Sequence, residues 1–240
     1  MAEKLSVSFE FFPPSSEAAE ARLWNTVEKL APLGPAFASV TYGAGGTTRE
    51  RTLKVVQKLK NDGRMEPAAH LTCVGADKAE IDGIARGWLE AGISRLVALR
   101  GDPPQDTGRY QPHPNGYQNA ADLVSGLRKI GDFDISVAAY PEAHPDSPSE
   151  VADIANLKAK IDNGANRAIT QYFFDVDLFL RFRDKVAAAG IDAPLVPGIM
   201  PIGHFGRMVN FSKRCGASVP DWLFERFEGL DDDPETRELV

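Results

Sequence analysis

The stretch of this chain that decides its fold reads Ser6-Val7-Ser8-Phe9-Glu10-Phe11-Phe12-Pro13-Pro14. Polar and apolar residues alternate in it, as in a β-strand with one polar and one hydrophobic face, and the prolines end the strand. Glu10 stands at the end of the polar face. If that face lines a pocket, Glu10 is a candidate acid or base, and burial would raise its pKa. The alternative is a solvated glutamate at a strand end, without a function.

The residues after this strand distinguish between two α/β folds. A doubly wound dinucleotide-binding fold carries G-x-G-x-x-G directly after its first strand, whereas this chain has Phe12-Pro13-Pro14-Ser15-Ser16 there. Gly43-Ala44-Gly45-Gly46 follows the second predicted strand but lacks the spacing of the third glycine. It is a weak dinucleotide fingerprint and fits a flexible turn close to a ligand.

Strand-like and helix-like segments alternate along the whole chain. The predicted strands cover residues 6–11, 37–42, 68–73, 95–100, 134–140, 167–174 and 195–200. The predicted helices cover residues 17–30, 49–61, 78–90, 120–130, 149–163, 176–189 and 204–215. Serial βα units without a run of hairpin turns predict a parallel sheet.

Polar side chains at the strand ends favour a closed barrel. A (β/α)8 TIM barrel gathers such side chains at the C-terminal ends of its strands. The residues at or just past the predicted strand ends are Glu10, Thr41, His70, Arg100, Asp102, Tyr140, His144 and Gln171. The predicted fold class is therefore α/β, a (β/α)8 TIM barrel, in a single domain over residues 1–240.

The eighth βα unit is not found in the sequence. Asp233 and Pro234 form a helix-start signal, as N-cap and first helical residue, and the chain ends shortly afterwards. We therefore expect that the eighth unit is absent from this chain. A barrel without one strand would expose two sheet edges and invite partner contacts, which predicts a homo-oligomer.

Composition limits the class of partner and the location. A net charge of −7 disfavours nucleic acid and anionic membranes as partners. Cys73 and Cys215 show no metal-ligand spacing, which indicates a reducing compartment and no metal. No stretch approaches the roughly 18 apolar residues of a membrane span, and no signal segment precedes the first strand. The expected location is the cytoplasm.

Several motifs are typical of a site for a nucleotide or a heterocycle. Arg100 could hold a phosphate or carboxylate, although an ion pair with Asp102 in a tight turn is the alternative. Ala138 and Tyr140 share a strand face with room for a planar ring. Gln171 offers the donors and the acceptor that suit a pterin or nicotinamide, or it caps neighbouring backbone groups.

One helix face offers further polar groups. Asp153, Asn156 and Lys160 follow one another at helical spacing and could reach a ligand's ribose or phosphates. A solvated helix face is the alternative interpretation of this spacing.

Taken together and in order, these motifs resemble the bacterial type of methylenetetrahydrofolate reductase. The stretches that carry the resemblance are Ser8-Phe9-Glu10-Phe11-Phe12-Pro13-Pro14, Ser39-Val40-Thr41-Tyr42-Gly43, Ala69-His70-Leu71-Thr72-Cys73, Val97-Ala98-Leu99-Arg100-Gly101-Asp102, Ala138-Ala139-Tyr140-Pro141-Glu142-Ala143-His144, Gly164-Ala165-Asn166-Arg167-Ala168-Ile169-Thr170-Gln171-Tyr172-Phe173-Phe174-Asp175 and Pro197-Gly198-Ile199-Met200-Pro201. The resemblance implies a flavoprotein oxidoreductase that binds FAD in a TIM barrel. It would convert 5,10-methylenetetrahydrofolate to 5-methyltetrahydrofolate with NAD(P)H, by ping-pong hydride transfer through FAD, in one-carbon metabolism and methionine biosynthesis.

The resemblance also implies a role for each matching residue. Glu10 would be the general acid on the folate, and Asp102 the carboxylate beside the flavin. Gln171, Phe211 and Arg207 match positions that contact folate or nicotinamide. The positions matching FAD contacts are Thr41, His70, Leu99, Arg100, Gly101, Asp102, Tyr117, Ala138, Tyr140, His144, Asp153, Asn156 and Lys160.

The sequence departs from the family's pattern at two positions, and two other functions remain as alternatives to the reductase. Ala159 stands where relatives can carry an arginine near FAD, and Arg207 where they can carry a glutamine near the folate, so Arg207 is expected to favour glutamate carboxylates of the substrate. A non-catalytic flavin- or folate-binding barrel and a flavin-free reductase are the alternatives. The sequence does not select between NADH and NADPH.

Overall fold

The computed structural model describes residues 5–42, 49–102 and 110–237 of the chain. Its strands are β1 (Phe9–Phe11), β2 (Ala38–Val40), β3 (Pro67–Thr72), β4 (Arg95–Leu99), β5 (Asp134–Ala139), β6 (Arg167–Thr170) and β7 (Leu195–Val196). Its helices are α1 (Glu17–Leu30), α2 (Arg49–Asp62), α3 (Lys78–Glu90), α4 (Ala120–Ile130), α5 (Glu150–Asp162), α6 (Val176–Ala188), α7 (Phe205–Cys215), α8 (Asp221–Phe227) and α9 (Pro234–Arg237). The glycine turn at residues 43–46 lies outside the described residues.

The chain divides into two compact units. The first unit comprises Met1–Val137 with Asn163–Ala165, and the second comprises Ala138–Asp162 with Asn166–Val240. Strand β5 contributes to both, because the boundary falls between Val137 and Ala138. The single domain over residues 1–240 stays a prediction.

The first unit is a parallel sheet whose strands follow chain order from β1 to the start of β5. Glu10 pairs with Ser39, which in turn pairs with Ala68, so these three residues lie level across β1, β2 and β3. Leu71 and Leu96 are fully buried between this sheet and its helices. Burial of such side chains contributes about 1.5–3 kcal/mol each to folding, so the register of the sheet is fixed by its core.

Side-chain caps precede α1 and α3, which begin at the residues that the sequence predicts. Ser16 Oγ accepts a hydrogen bond from the Ala19 amide at 3.2 Å, and Asp77 accepts one from the Glu80 amide at 2.8 Å. Each cap satisfies an amide that the first helical turn leaves unpaired. Each cap therefore fixes the residue at which the loop after the preceding strand ends and the helix begins.

The second unit contains the end of β5, the parallel pair β6 and β7, and the helices α5 to α9. The Gln171 amide donates to the Ala139 carbonyl at 2.8 Å, so the chain after β6 runs beside the end of β5. Helices α7 and α8 pack together through the buried side chains of Phe205, Met208 and Leu223.

The predicted α/β class of the TIM-barrel type is confirmed by parallel strands that alternate with helices in chain order. The predicted helices α1, α3 and α4 match to the residue, whereas most strands are shorter than predicted. The sequence pattern missed α8, while Asp233 does cap a short final helix. An eighth strand is not found among the described residues. No helix in those parts of the chain is long and apolar enough to cross a membrane.

Candidate functional site

Glu10 lies at the middle of β1 with two polar neighbours from adjacent strands. His70 Nε2 lies 3.2 Å from Glu10 Oε2, and Ser39 Oγ donates to the same oxygen at 3.3 Å. The Glu10 side chain is 51% exposed, whereas that of His70 is only 7% exposed. Glu10 thus has polar neighbours from two other strands, and Ser39 is one that the sequence pattern did not indicate.

The net effect on the acidity of Glu10 is opposite to the predicted one. Desolvation of the carboxyl group raises its pKa, but His70 and Ser39 together lower it by more, so the pKa lies below its ordinary value. The expectation of a raised pKa is therefore wrong for the protein by itself. At neutral pH, Glu10 is a carboxylate.

His70 directs a buried nitrogen towards Glu10. Its Nε2 atom is within ion-pairing distance of Glu10 but makes no hydrogen bond of good geometry with any described residue. A buried polar atom in this state costs free energy, and such atoms mark places where a further group is accommodated.

The end of β4 places a cation beside a tight turn. The Arg100 guanidinium lies over the Tyr110 ring at 4.6 Å, and its Nε donates to the Gly101 carbonyl at 3.2 Å. Gly101 has a φ of 84°, and a Cβ there would lie 2.5 Å from Val74 Cγ1. Only glycine fits this position, because the space that a Cβ would need is filled by Val74 and Thr72. The exposed Asp102 follows directly.

Tyr110 is a second residue that the sequence pattern did not indicate. Besides the Arg100 contact, its hydroxyl lies 3.7 Å from the sulfur of Cys73, just past the end of β3. Burial raises the pKa of the Cys73 thiol, so this cysteine is a neutral packing residue. Tyr110 lies ten positions after Arg100 in the sequence, and no motif there indicated that the two side chains would meet.

Two other predicted cofactor contacts of the first unit differ in their surroundings. Thr41 is half-buried just after β2, where its carbonyl accepts from the Thr52 hydroxyl at 2.8 Å. Tyr117 is buried, and its hydroxyl donates to Asp82 at 2.6 Å. Burial and the Asp82 carboxylate raise the pKa of Tyr117. The Tyr117 hydroxyl thus faces α3. Leu99, another predicted cofactor contact, is half-buried at the end of β4.

In the second unit, an aromatic pair follows the end of β5. The Tyr140 and His144 rings meet edge to face with centroids 4.6 Å apart. The His144 amide donates to Asp153 Oδ2 at 2.8 Å, which fastens this loop to α5. The predicted residues Tyr140, His144 and Asp153 are therefore brought together.

Lys160 is the most deeply buried cation of this group. The residue is 4% exposed, and its Nζ donates to the Ala138 carbonyl at 2.8 Å. An ammonium group has three donors, so it can bind a carbonyl oxygen and an anion together. Asn156 lies exposed one turn earlier on α5, and Ala159 is half-buried beside Lys160.

The end of β6 and helix α7 form an aromatic cluster. Tyr172 stacks on Phe211 with centroids 6.1 Å apart and an angle of 14° between the planes. The Tyr172 hydroxyl and the Ser212 hydroxyl share a hydrogen bond of 2.9 Å. Gln171 is half-buried directly before Tyr172, and Arg207 is exposed on the first turn of α7. Phe211 is thus stacked on the residue that follows Gln171 in the chain.

The described residues contain no group of histidine, cysteine, aspartate and glutamate side chains that could hold a metal ion. The first unit instead offers a carboxylate with a buried imidazole and a cation at a strand end, which suit an organic ligand with anionic or heterocyclic parts. The second unit, taken by itself, offers a buried cation on α5 and stacked rings.

The βα series and the polar residues at its strand ends define a class of proteins: enzymes of the TIM-barrel type, with their site at the C-terminal strand ends. Solved structures show the same fold, for example 2,3-dimethylmalate lyase, a PEP mutase/isocitrate lyase superfamily member. That structure has a TM-score of 0.53 and 11% identity, over 98% of this chain and 90% of its own.

Sequence comparison gives the family. The whole chain, residues 1–240, matches the methylenetetrahydrofolate reductase family. The 5,10-methylenetetrahydrofolate reductase of Pectobacterium carotovorum subsp. carotovorum is 50% identical over 237 residues, which are 99% of this chain and 78% of that protein. The reductase of the same name from Escherichia coli (strain K12) is 48% identical over the same shares. The chain therefore belongs to the methylenetetrahydrofolate reductase family, a family of oxidoreductases, and the resemblance of its motifs is confirmed.

Proposed function

We propose that this protein reduces 5,10-methylenetetrahydrofolate to 5-methyltetrahydrofolate with NADH or NADPH, by ping-pong hydride transfer through bound FAD. The observation that carries the proposal is the Glu10 carboxylate at the middle of β1, 3.2 Å from a buried His70. Family membership supports the reaction, and this pair would supply a proton-carrying group at the position that the resemblance of the motifs assigns to the general acid.

The residues of each unit fit a flavin dinucleotide. In the first unit, the His70 nitrogen beside Glu10 and the Arg100 cation near the turn at Gly101 would suit a ligand with acceptor and anionic groups. In the second, Lys160 supplies a buried cation for a phosphate. When bound, FAD supplies hydride transfer between the nicotinamide and the folate.

The remaining FAD contacts are proposed from the same family match. They are Thr41, Leu99, Asp102, Tyr117, Ala138, Tyr140, His144, Asp153 and Asn156. Tyr117 would contribute through its ring, since its hydroxyl is engaged by Asp82. Asp102 would face the flavin as an exposed carboxylate at the end of β4.

Glu10 needs to carry a proton on its carboxyl group to act as a general acid. Desolvation is the largest single influence on its pKa and acts upwards, while His70 and Ser39 act downwards. A substrate that covers the exposed half of this side chain removes water and strengthens the upward influence. Glu10 would therefore take up a proton as the folate binds and deliver it to the folate nitrogen, which opens the five-membered ring.

The second unit would orient the folate and the nicotinamide. Gln171 would pair its amide with the heterocycle, and the Phe211 ring, stacked on Tyr172, would pack against it. Arg207, exposed on α7, would meet a carboxylate of the substrate.

The protein's visible spectrum tests the proposal directly. Purified protein should show flavin absorption bands that bleach when NADH or NADPH is added and return when methylenetetrahydrofolate follows. A flavin that neither nucleotide reduces would support a non-catalytic binding protein instead. A colourless protein that still reduces the folate would overturn the FAD assignment and support the flavin-free reductase. The relative rates of bleaching select between NADH and NADPH.

The proposal also covers the metabolic role, the location and the partners of the protein. Its product would serve one-carbon metabolism and methionine biosynthesis in the cytoplasm, and the protein would act as a homo-oligomer with small molecules as its partners.

A further inference from the structure

Two polar groups converge on one oxygen of the Glu10 carboxyl group. Ser39 Oγ lies 3.3 Å from Oε2, and His70 Nε2 lies 3.2 Å from the same atom. None of the described residues makes a hydrogen bond or an ion pair with Oε1. The Glu10 side chain is only half-buried, so a ligand can reach it. The two oxygens of this carboxyl group therefore have different surroundings.

Ser39 is placed by the sheet and has little freedom to move. It is the middle residue of β2, level with Glu10 on β1 and with Ala68 on β3, and it is only 2% exposed. Its side chain has a single rotatable bond before the hydroxyl oxygen, and such bonds keep to a few staggered positions. A strand that is paired on both sides cannot slide without losing its hydrogen bonds to both neighbours. The hydroxyl is therefore held beside the carboxyl group before any substrate arrives.

The single hydrogen of the Ser39 hydroxyl has two acceptors within reach. Oε2 of Glu10 lies 3.3 Å from Ser39 Oγ, and the Phe9 carbonyl oxygen lies 3.5 Å from it. A hydrogen bond to a charged acceptor is roughly twice as strong as one to a neutral acceptor, so the hydroxyl donates to Glu10 while Glu10 is ionised. His70 Nε2 also faces Oε2, where an N–H group is attracted and a lone pair would be repelled. Both neighbours therefore stabilise Oε2 as an acceptor.

We propose that Ser39 is a positioning residue for the general acid: its hydroxyl holds Oε2 of Glu10 and leaves Oε1 as the oxygen that carries the proton. The proposal rests on the proposed function and assigns its proton transfer to one atom. In that step the O–H bond at Oε1 breaks, an N–H bond forms on the folate nitrogen, and the electron pair stays on the carboxylate. The hydrogen bond from Ser39 then has a charged acceptor, which favours release of the proton. Ser39 is buried and acts through Glu10.

The pH profile of kcat/KM for the folate tests which oxygen carries the proton, because this ratio reports ionisation of the free enzyme. Ser39→Ala removes a donor to Oε2 and so destabilises the carboxylate. The midpoint of the profile should therefore rise by about 0.5–1 pH unit. Well below the midpoint, where Glu10 is protonated in both proteins, the variant should be about threefold to tenfold slower, because the carboxyl group is no longer held. Reduction of the flavin by NADH, followed by stopped-flow absorbance, should be unchanged.

Three further variants distinguish positioning from packing. Ser39→Thr keeps a hydroxyl on the same Cβ and should keep the wild-type profile. Ser136→Ala is the matched control, since Ser136 is also a serine of a strand, on β5, and is also 2% exposed, and it should leave the midpoint unchanged. In the Glu10→Gln background, which has no proton to deliver, Ser39→Ala should cause no further loss of folate reduction. Circular dichroism and the flavin content confirm that each variant is folded.

The direction of the shift decides the assignment. A midpoint that falls in Ser39→Ala would place the proton on Oε2, where it is donated to the serine, and would overturn the inference. An unchanged midpoint, an equal shift in Ser136→Ala, or a Ser39→Thr profile like that of Ser39→Ala would show that the hydroxyl does not position Glu10. An equal loss in the wild-type and Glu10→Gln backgrounds would make Ser39 a packing residue. All these results leave the proposed function intact, whereas a wild-type protein that does not reduce the folate overturns both.

Discussion

The carboxyl group of Glu10 is subject to two opposed influences that belong to different residues. Partial burial favours its protonated form, and the contacts of His70 and Ser39 favour its charged form. The balance between these two influences decides whether the side chain of Glu10 is a protonated carboxylic acid or a charged carboxylate. Changing one neighbour should therefore change the chemistry without moving the strand.

Replacing Glu10 by glutamine should separate the two half-reactions. The Glu10→Gln variant keeps the size of the side chain but has no proton to deliver, so folate reduction should fall by roughly 100- to 10,000-fold. Flavin content and NADH oxidation should stay close to wild type. Stopped-flow absorbance of the bound flavin measures both steps. Glu225→Gln, an exposed glutamate of α8, is the control. Loss of both half-reactions in Glu10→Gln would mean that Glu10 is structural.

Removing the imidazole of His70 should move the pH profile of folate reduction. In wild type the Glu10 pKa is lowered, so its acid form, and with it kcat/KM for the folate, should increase as the pH falls towards that pKa. His70→Leu removes a lowering influence and leaves desolvation, so the pKa of Glu10 rises and the profile shifts to higher pH. Rates are expressed per bound flavin, because His70 is also a proposed cofactor contact. His70→Gln, which keeps a donor without a charge, should shift the profile less. An unshifted profile in His70→Leu would contradict the coupling.

The sequence predicted Glu10 and His70 individually, but not their contact. Alternation places Glu10 on the polar face, and the end of β3 places His70 there, yet the register decides whether they meet. Glu10 is level with Ala68 through Ser39, and His70 lies two residues further on the same face. Such a stagger between parallel strands is a property of the sheet, which local patterns do not contain.

Helices of this chain were easier to predict than strands, for a physical reason. Helix ends carry their own signals, such as the Ser16 and Asp77 caps, whereas strand ends depend on a partner. β6 ends at Thr170, four residues before the predicted end, and there the Thr170 hydroxyl accepts a hydrogen bond from the Gly198 amide at 2.9 Å. The aromatic residues that follow leave the sheet and form the cluster around Tyr172. Helix α8 was missed because Pro220 precedes it without a side-chain cap.

The turn after β4 should not tolerate a side chain. Gly101→Ala places a Cβ 2.5 Å from Val74 Cγ1 at a φ of 84°, so the free energy of unfolding should fall by roughly 1–3 kcal/mol. Urea denaturation measures the change. Gly83→Ala in α3 is the control, since a Cβ at that position would have nothing within 4 Å, and it should stabilise the protein by about 0.5–1 kcal/mol. Equal effects of the two substitutions would show that the turn is not constrained.

The start of α7 should depend on Asp231. Its carboxylate pairs with the amides of Phe205 and Gly206 and lies 3.0 Å from His204 Nδ1. Asp231→Ala should therefore reduce the free energy of unfolding by about 0.5–2 kcal/mol, as loss of a helix cap does. Asp232→Ala, an exposed neighbour, should change it by less than about 0.5 kcal/mol. Urea denaturation followed by circular dichroism compares them, and equal stability of both variants would refute the capping role.

The composition of the whole molecule limits the classes of ligand that it can attract but does not identify the ligand. Because the net charge is −7, an anion can be attracted only by local groups of cations. Three described cations, Arg100, Lys160 and Arg207, lie in or after βα units that have polar residues at their strand ends. The whole-chain pattern of ordered motifs predicted the family, which charge and periodicity alone could not. The identity of the cofactor is part of the proposed function, and a direct measurement on the intact protein tests it.

FAD should stabilise the intact protein by mass action. A ligand that binds only the folded state adds about 2.7 kcal/mol at a free concentration 100 times its dissociation constant. For a chain of this length, the melting temperature should rise by about 5 to 10 °C when FAD is added to flavin-depleted protein. Differential scanning fluorimetry at increasing FAD concentration measures the rise. Riboflavin, which lacks the diphosphate and the adenosine, should give a smaller one, because it cannot pair with Arg100 or Lys160. A melting temperature that is independent of FAD, or an equal rise with riboflavin, would contradict the proposed cofactor site.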